Sequence, residues 1–196
     1  MSRDSWGYQP RNPRPAPDWE VNPQTDAIRA GQQRSGFGET SEALFLNSGF
    51  TYSTAQEALD SFSDETDHFL YSRFHNPTVQ MFEQRLAALE GAEYCVATSS
   101  GMSAMFAAIA CLVSAGDRVV ASAAMFSSCH VVLTEILPKW GISVELVKGN
   151  DLALWEKALS SETKVVFIES PSNPLMEIVD IAMVSQLAHK VGATVI

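Results

Sequence analysis

The sequence predicts an α/β protein built on a mostly parallel sheet. From about residue 94 onward, short β-branched, apolar runs alternate with longer segments of helical periodicity, the order from which right-handed crossovers are made. The short runs are apolar throughout, as strands covered by helices on both faces require. Polarity falls between these segments. The turns at 100–102, 122–126 and 169–173 each follow a predicted strand. All three therefore lie at the C-terminal edge of one sheet, where parallel sheets receive ligands.

Taken in order, residues 1 to about 40 are rich in Pro, Arg, Gln and Gly. Pro10, Pro13, Pro15 and Pro17 bar a regular helix or central strand, which predicts a disordered tip followed by an arm. Residues 25–30 are expected to make one or two helical turns, and 44–47 a short extended segment. Trp19, Phe37, Phe45, Phe50 and Tyr52 are costly to leave in water, so the arm is expected to pack on another subunit. Residues 1–60 are read as tail and intersubunit arm, and 61–196 as the domain. Within 54–62, Ala55, Leu59 and Phe62 share one helical face. Asn76 followed by Pro77 reads as a helix cap and first helical position. Val79, Phe82, Leu86 and Leu89 repeat behind it at helical spacing, and Gly91 ends the helix.

Strands are predicted at 94–98, 118–122, 142–147, 164–169 and 193–196. Helices fill the gaps at 102–113, about 127–138, 151–159 and 180–190. Met105, Ala108 and Leu112 mark the first of these helices. Ile181, Val184, Ala188 and Val191 form the expected buried stripe of the last. The strand at 193–196 stops without a following turn, which reads as a chain cut in mid-fold.

The 196 residues are 46% apolar, enough for one sizeable core with an arm. A net charge of −10 argues against extended nucleic-acid contact. No run of about 18 apolar residues is present to span a membrane, and Met1-Ser2-Arg3-Asp4-Ser5-Trp6 lacks a secretory core. The dispersed Cys95, Cys111 and Cys129 suit a reduced, cytoplasmic protein better than a disulfide scaffold. With no C-x-x-C pair and scattered histidines, no metal site is expected.

Candidate site residues sit in the polar turns. Ala97-Thr98-Ser99-Ser100-Gly101-Met102-Ser103-Ala104 passes from strand to helix. The backbone N–H groups of Gly101 and Met102 then open the helix at its positive end, which suits a phosphate, and Ser100 adds a hydroxyl. The plain alternative is an ordinary turn. Tyr71 and Arg73 face one way if their segment is extended, and a guanidinium is a planar fork of donors for phosphate oxygens. By themselves they read more simply as a packed Tyr and a solvated Arg. Phe126 is either a stacking ring or a core aromatic at a helix start. Glu169, a carboxylate at an apolar strand end, needs a partner unless it is solvated at the sheet edge. Asn173 either serves a site or fixes a turn before Pro174. Cys129 reads as a small buried hydrophobe. Asp117, Asn150 and Asp151 read as turn and cap residues, and Trp140 and Trp155 as packing. His68, His75, His130 and His189 show no partners.

Three motifs in order, Tyr71-Ser72-Arg73 with Asn76-Pro77-Thr78, then Ala97 to Ala104, then Glu169-Ser170-Pro171-Ser172-Asn173-Pro174, resemble the Cys/Met-metabolism family of pyridoxal-phosphate enzymes. The resemblance runs from about residue 25 to 196. It implies a fold-type I, aspartate aminotransferase-like transferase, truncated at its C-terminus, with 61–196 an incomplete large domain. It implies pyridoxal 5′-phosphate as cofactor, its phosphate held by Ser100, Gly101 and Met102. Tyr71 and Arg73 would reach that phosphate from a neighbouring subunit, which makes the active sites composite and the assembly a dimer or a tetramer of dimers. Tyr71 is further implied in proton transfer. Phe126 would stack on the cofactor ring, Asn173 would bond its 3-oxygen, and Glu169 would join the surrounding network.

Many relatives carry a Tyr where this chain has Phe126, in a Tyr-Gly-Gly-Thr-like turn that here is Phe126-Ser127-Ser128-Cys129. A phenyl ring stacks but donates no proton, which favours replacement chemistry over elimination. Ala27-Ile28-Arg29-Ala30-Gly31 and Ser41-Glu42-Ala43-Leu44-Phe45-Leu46 most resemble the branch that makes homocysteine and succinate from O-succinylhomoserine and sulfide. Cystathionine γ-synthases, O-acetylhomoserine sulfhydrylases and methionine γ-lyases share nearly all of these residues. A catalytically silent partner subunit is the alternative of another class. The chemistry needs a lysine that holds the cofactor and an aspartate at its pyridine nitrogen, and the family's spacing places both after Ile196. Lys139, Lys148, Lys157, Lys164 and Lys190 fit helices, strand starts or solvated faces. This chain alone is therefore expected to be inactive, as part of a longer protein or as a truncated product.

Overall fold

A computed structural model describes residues 21–196, so the predicted tip, with Trp19, lies outside the described residues. The chain divides into two compact units, one ending at Ala97 and one beginning at Thr98.

In the first unit, α1 (Pro23–Arg29) starts at Asn22, whose side chain accepts the Thr25 N–H at 3.0 Å. The helix lies against α3 (Pro77–Glu90). Gly31, just past α1, sits at φ +70°, and a Cβ there would come within 2.6 Å of Gln84 Cβ. Both conditions call for glycine. Arg85 secures the junction: its Nε donates to the Ala30 carbonyl at 3.0 Å, and its Nη2 pairs with the Glu42 carboxylate. α2 (Ala55–Phe62) opens with Thr54 accepting the Glu57 N–H at 3.0 Å, while the Glu57 carboxylate reaches back to the Ser53 N–H. Two orphan donors are thereby satisfied reciprocally. α3 starts at Asn76 and Pro77 and ends at Gly91 (φ 64°), as its sequence dictates.

Segment 45–49 is stitched to 71–78. The Phe45 N–H donates to Thr78 Oγ1, Asn76 Nδ2 donates to the Phe45 carbonyl, and the Ser72 N–H donates to the Ser48 carbonyl, each at 2.9 Å. The arm segment and α3 therefore belong to one unit. Residues 44–47 join no ladder; a single antiparallel bridge links Gly49 to Tyr71.

The packing of α3 and the predicted strand at 94–98 differ from the pattern along the sequence. On α3 the buried residues are Pro77, Met81 and Ala87, whereas Val79, Phe82 and Leu89 are exposed. α1 covers the helix near Met81 and Gln84. Phe82, Leu86 and Leu89 instead line an open groove of about 280 Å³, which Glu42 and Arg85 also border. Residues 94–98 form no strand. A strand persists only within a ladder, and no described strand pairs with this segment. Tyr94 and Val96 are exposed, and the Ala97 N–H donates to Glu83 Oε1 at 2.7 Å instead.

The second unit is a parallel four-stranded sheet flanked by helices. Its strands are β1 (Arg118–Ser122), β2 (Ser143–Val147), β3 (Val165–Phe167) and β4 (Thr194–Val195), in the order β2-β1-β3-β4. Its helices are α4 (Gly101–Ala110), α5 (Ser127–Val131), α6 (Leu152–Ala158) and α7 (Ile181–Lys190). Val119 and Ala121 point into a core with Ile109, Leu133 and Leu137, whereas Val120 and Val166 point into one with Trp155, Val184 and Ala188. The period of two thus feeds a core on each face, as the apolar strands predicted. α5 continues as a π-turn (Val132–Ile136) and a 3-10 turn (Leu137–Trp140), because Pro138 has no N–H with which to extend the α ladder. Val184 and Ala188 are buried on α7 as expected, but Ile181, its first residue, is exposed. The chain leaves β1 for β2 on one side and later returns to place β3 on the other. The topological switch point therefore lies between β1 and β3, the position where open parallel sheets bind ligands.

Candidate functional site

At this switch point the second unit draws its predicted residues together. Phe126 ends the loop after β1 and precedes α5, with no side-chain capping bond of its own. Asn173 stands in the loop after β3. Glu169 joins them: its Oε2 accepts the Phe126 N–H at 2.8 Å, and its Oε1 accepts the Asn173 N–H at 2.6 Å. The partner that a strand-end carboxylate required is thus a pair of backbone amides. The Phe126 ring remains 40% exposed and Asn173 is exposed, so pinned backbones present two free side chains. The loop after β3 is itself closed. Ser170 Oγ accepts the Val179 N–H at 3.1 Å, buried Ser172 Oγ accepts the Glu177 N–H at 3.1 Å, and Asn150 Oδ1 accepts the Asp180 N–H at 3.0 Å. Cys129 is buried as expected, and that burial, followed by the nearby Glu169 charge, pushes its thiol pKa upward.

The start of α4 supplies a second feature of this unit. Ser100 is its cap: Oγ accepts the Ser103 N–H at 3.1 Å and donates to Ser103 Oγ at 3.2 Å. The hydroxyl is engaged in holding the helix start. The Gly101 and Met102 amides have no partner among the described residues. Gly101 is exposed, and a Cβ placed on it would meet nothing within 4 Å. With residues 94–98 outside the sheet, the turn at 100–102 does not leave a strand, and Glu169 joins only the turns at 122–126 and 169–173.

In the first unit, residues 71–74 make a turn rather than the extended segment that would align Tyr71 with Arg73. The Phe74 and His75 N–H groups donate to the Tyr71 carbonyl at 2.8 and 3.1 Å. The pair meets by another route. The Arg73 guanidinium carbon lies 5.6 Å from the Tyr71 ring centroid and 4.4 Å from that of Phe74. Cation–π contact thus orients the fork without using its N–H donors.

Sequence reasoning missed several groups. His68 has partners: Nε2 lies 3.8 Å from Glu57 Oε1, and the ring stacks on Tyr52 at 5.0 Å. Ser122, closing β1, is fully buried with its Oγ unpartnered among the described residues. The only sequence signal for it was a serine within a valine-rich strand. The Glu169 link spans 43 residues to Phe126, beyond any local pattern. All five lysines are exposed, as read.

A sequence model of the family described as Cys/Met metabolism PLP-dependent enzyme matches residues 24–196. The chain is 50% identical over 186 residues to an O-succinylhomoserine sulfhydrylase of Mycobacterium tuberculosis, covering 95% of this chain and 46% of that protein. It is 48% identical over 169 residues to an O-succinylhomoserine sulfhydrylase of Pseudomonas aeruginosa, covering 86% of this chain and 42% of that one. The chain thus spans under half the length of these relatives. The solved structure of the Campylobacter jejuni metY protein, described as an O-acetylhomoserine (thiol)-lyase with N'-pyridoxyl-lysine-5'-monophosphate, superposes with a TM-score of 0.83 at 30% identity. That superposition covers 90% of this chain and 43% of that one.

Proposed function

The chain belongs to the Cys/Met metabolism PLP-dependent enzyme family, and from that premise we propose that it forms part of an O-succinylhomoserine sulfhydrylase. The observation that carries this reading is identity near one half, sustained over nearly the whole chain, to proteins of that activity. The net reaction forms a carbon–sulfur bond at the γ-carbon of O-succinylhomoserine as the carbon–oxygen bond to succinate breaks, giving homocysteine. Bound pyridoxal phosphate supplies an electron sink for that substitution.

This chain's residues bind and orient. The Gly101 and Met102 amides hold the phosphate at the start of α4. Arg73, with Tyr71, brings a guanidinium fork to the phosphate from a neighbouring subunit. Phe126 would stack against the cofactor ring when it is bound. The Asn173 carboxamide bonds a polar ring substituent. Phe126 has no proton to give, and the family resemblance implies a part in proton transfer for the Tyr71 phenol, which is 45% exposed and meets Arg73.

Two measurements test the reading. The first is equilibrium binding of pyridoxal phosphate to the 196-residue chain and to a protein that extends it downstream. The second is homocysteine formation by the extended protein from O-succinylhomoserine and sulfide, with O-acetylhomoserine, cysteine and methionine as competitors. The reading expects cofactor uptake by the extended protein and preference for the succinyl ester. Uptake with preference for another substrate would transfer the protein to a neighbouring activity. No uptake by the extended protein would leave a silent partner subunit as the better description.

A further inference from the structure

We propose that Glu169 is a positioning residue, a clamp that sets Phe126 and Asn173 in fixed relation without itself touching the cofactor. The inference rests on the proposed function above only for what the two clamped residues hold. Each carboxylate oxygen accepts one backbone amide, one from each loop, at 2.8 and 2.6 Å. The two loops leave the adjacent strands β1 and β3, so the carboxylate bridges the switch point of the sheet. Each loop is also held on its own side: the His130 N–H donates to the Phe126 carbonyl at 3.0 Å, and the Met176 N–H donates to the Ser172 carbonyl at 2.7 Å around Asn173. The Glu169 carboxylate is what ties one loop to the other. The carboxylate also lies before the start of α5, where negative charge is favoured. Charge-assisted bonds to N–H groups are the strong class, and here they hold two side chains that make no bonds of their own. A ring to be stacked and a substituent to be hydrogen-bonded must be presented at one fixed separation, and a single rigid carboxylate supplies it.

The test compares Glu169→Gln and Glu169→Ala with the unaltered chain by two readouts. The first is hydrogen exchange of the Phe126 and Asn173 amides, followed by NMR without any cofactor. In Glu169→Ala both amides are expected to lose protection. In Glu169→Gln one is expected to keep it, because the carboxamide retains one acceptor and turns a donor toward the other amide. The second readout is pyridoxal-phosphate affinity of the extended protein, expected to fall roughly tenfold to a hundredfold in Glu169→Ala and by less in Glu169→Gln. If Glu169→Ala does not fold, the single-amide loss in Glu169→Gln carries the test. Unchanged protection in Glu169→Gln overturns the clamp. A loss of affinity with both amides still protected overturns it too, since the carboxylate would then act on the cofactor directly. If the unaltered extended protein takes up no cofactor, the proposed function fails, while the exchange readout still decides whether Glu169 holds both loops.

Discussion

Arg73 shows how one exposed side chain is made ready without being buried. Its guanidinium rests on the Tyr71 and Phe74 rings, 5.6 and 4.4 Å from their centroids, and its N–H donors have no hydrogen-bond partner among the described residues. Arg73→Ala is expected to leave the urea midpoint in place, because the residue is exposed and buries no charge. It should weaken pyridoxal-phosphate binding roughly tenfold to a hundredfold, the worth of a lost charge-assisted pair. Arg73→Lys should recover little, since an ammonium has neither the fork nor the stacking plane. Fluorescence titration of the extended, assembled protein measures both; full affinity in Arg73→Ala would place the phosphate contact elsewhere. Ser100 makes the complementary point. Its hydroxyl caps α4, so its value to an anion site is indirect, through the helix start it secures.

At the scale of the element, the junction of α1 with α3 turns on Gly31. A methyl there would meet Gln84 Cβ at 2.6 Å and the Met81 carbonyl at 3.0 Å, on a backbone at φ +70°. Gly31→Ala is expected to lower the stability of the first unit by about 2–4 kcal/mol, from overpacking and left-handed strain together. Gly101→Ala, with open space and an ordinary φ, should stay within about 0.5 kcal/mol. Urea titrations of the two variants make the comparison, and equal midpoints would mean that α1 and α3 are not held as close as the geometry has them. The contrast shows what could be read in advance. Asn76, Pro77 and Gly91 announce the two ends of α3 locally, and the strands β1 to β4 announce themselves by branched apolar runs. Gly31 gave no such notice, because its reason is a helix more than fifty residues away. Residues 94–98 misled for the same cause: the run has strand composition, but a strand is defined by its neighbour. Glu169, Phe126 and Asn173 were each visible as candidates, yet the bond uniting them belongs to the sheet order β1-β3.

For the whole molecule, the division at Ala97 and Thr98 separates groups with opposite pH behaviour. In the first unit, the Arg85 hydrogen bond holds the Glu42 carboxyl below its ordinary range, and backbone N–H donors at Ser35 and Ser53 do the same for Glu39 and Glu57. A carboxyl depressed by folding contributes its full stability above the ordinary carboxylate value, about 4.3. That contribution is lost as pH falls through the depressed value, because the unfolded chain takes up protons first. In the second unit, burial and then the Glu169 charge raise the Cys129 thiol. A thiol raised by folding contributes fully below its ordinary value of about 8.5. As pH climbs beyond that value the unfolded chain releases its proton first and the second unit weakens. Urea unfolding followed residue by residue by NMR should therefore show unequal shifts from neutrality. At about pH 4 the first unit loses more of its midpoint, and at about pH 9.5 the second does. Glu42→Gln should remove part of the acid limb of the first unit alone, leaving the parts due to Glu39 and Glu57, and Cys129→Ala should flatten the alkaline limb of the second alone. Equal shifts in both units at both extremes would show one cooperative transition spanning the chain, and the two units would then be a matter of shape without separate stability.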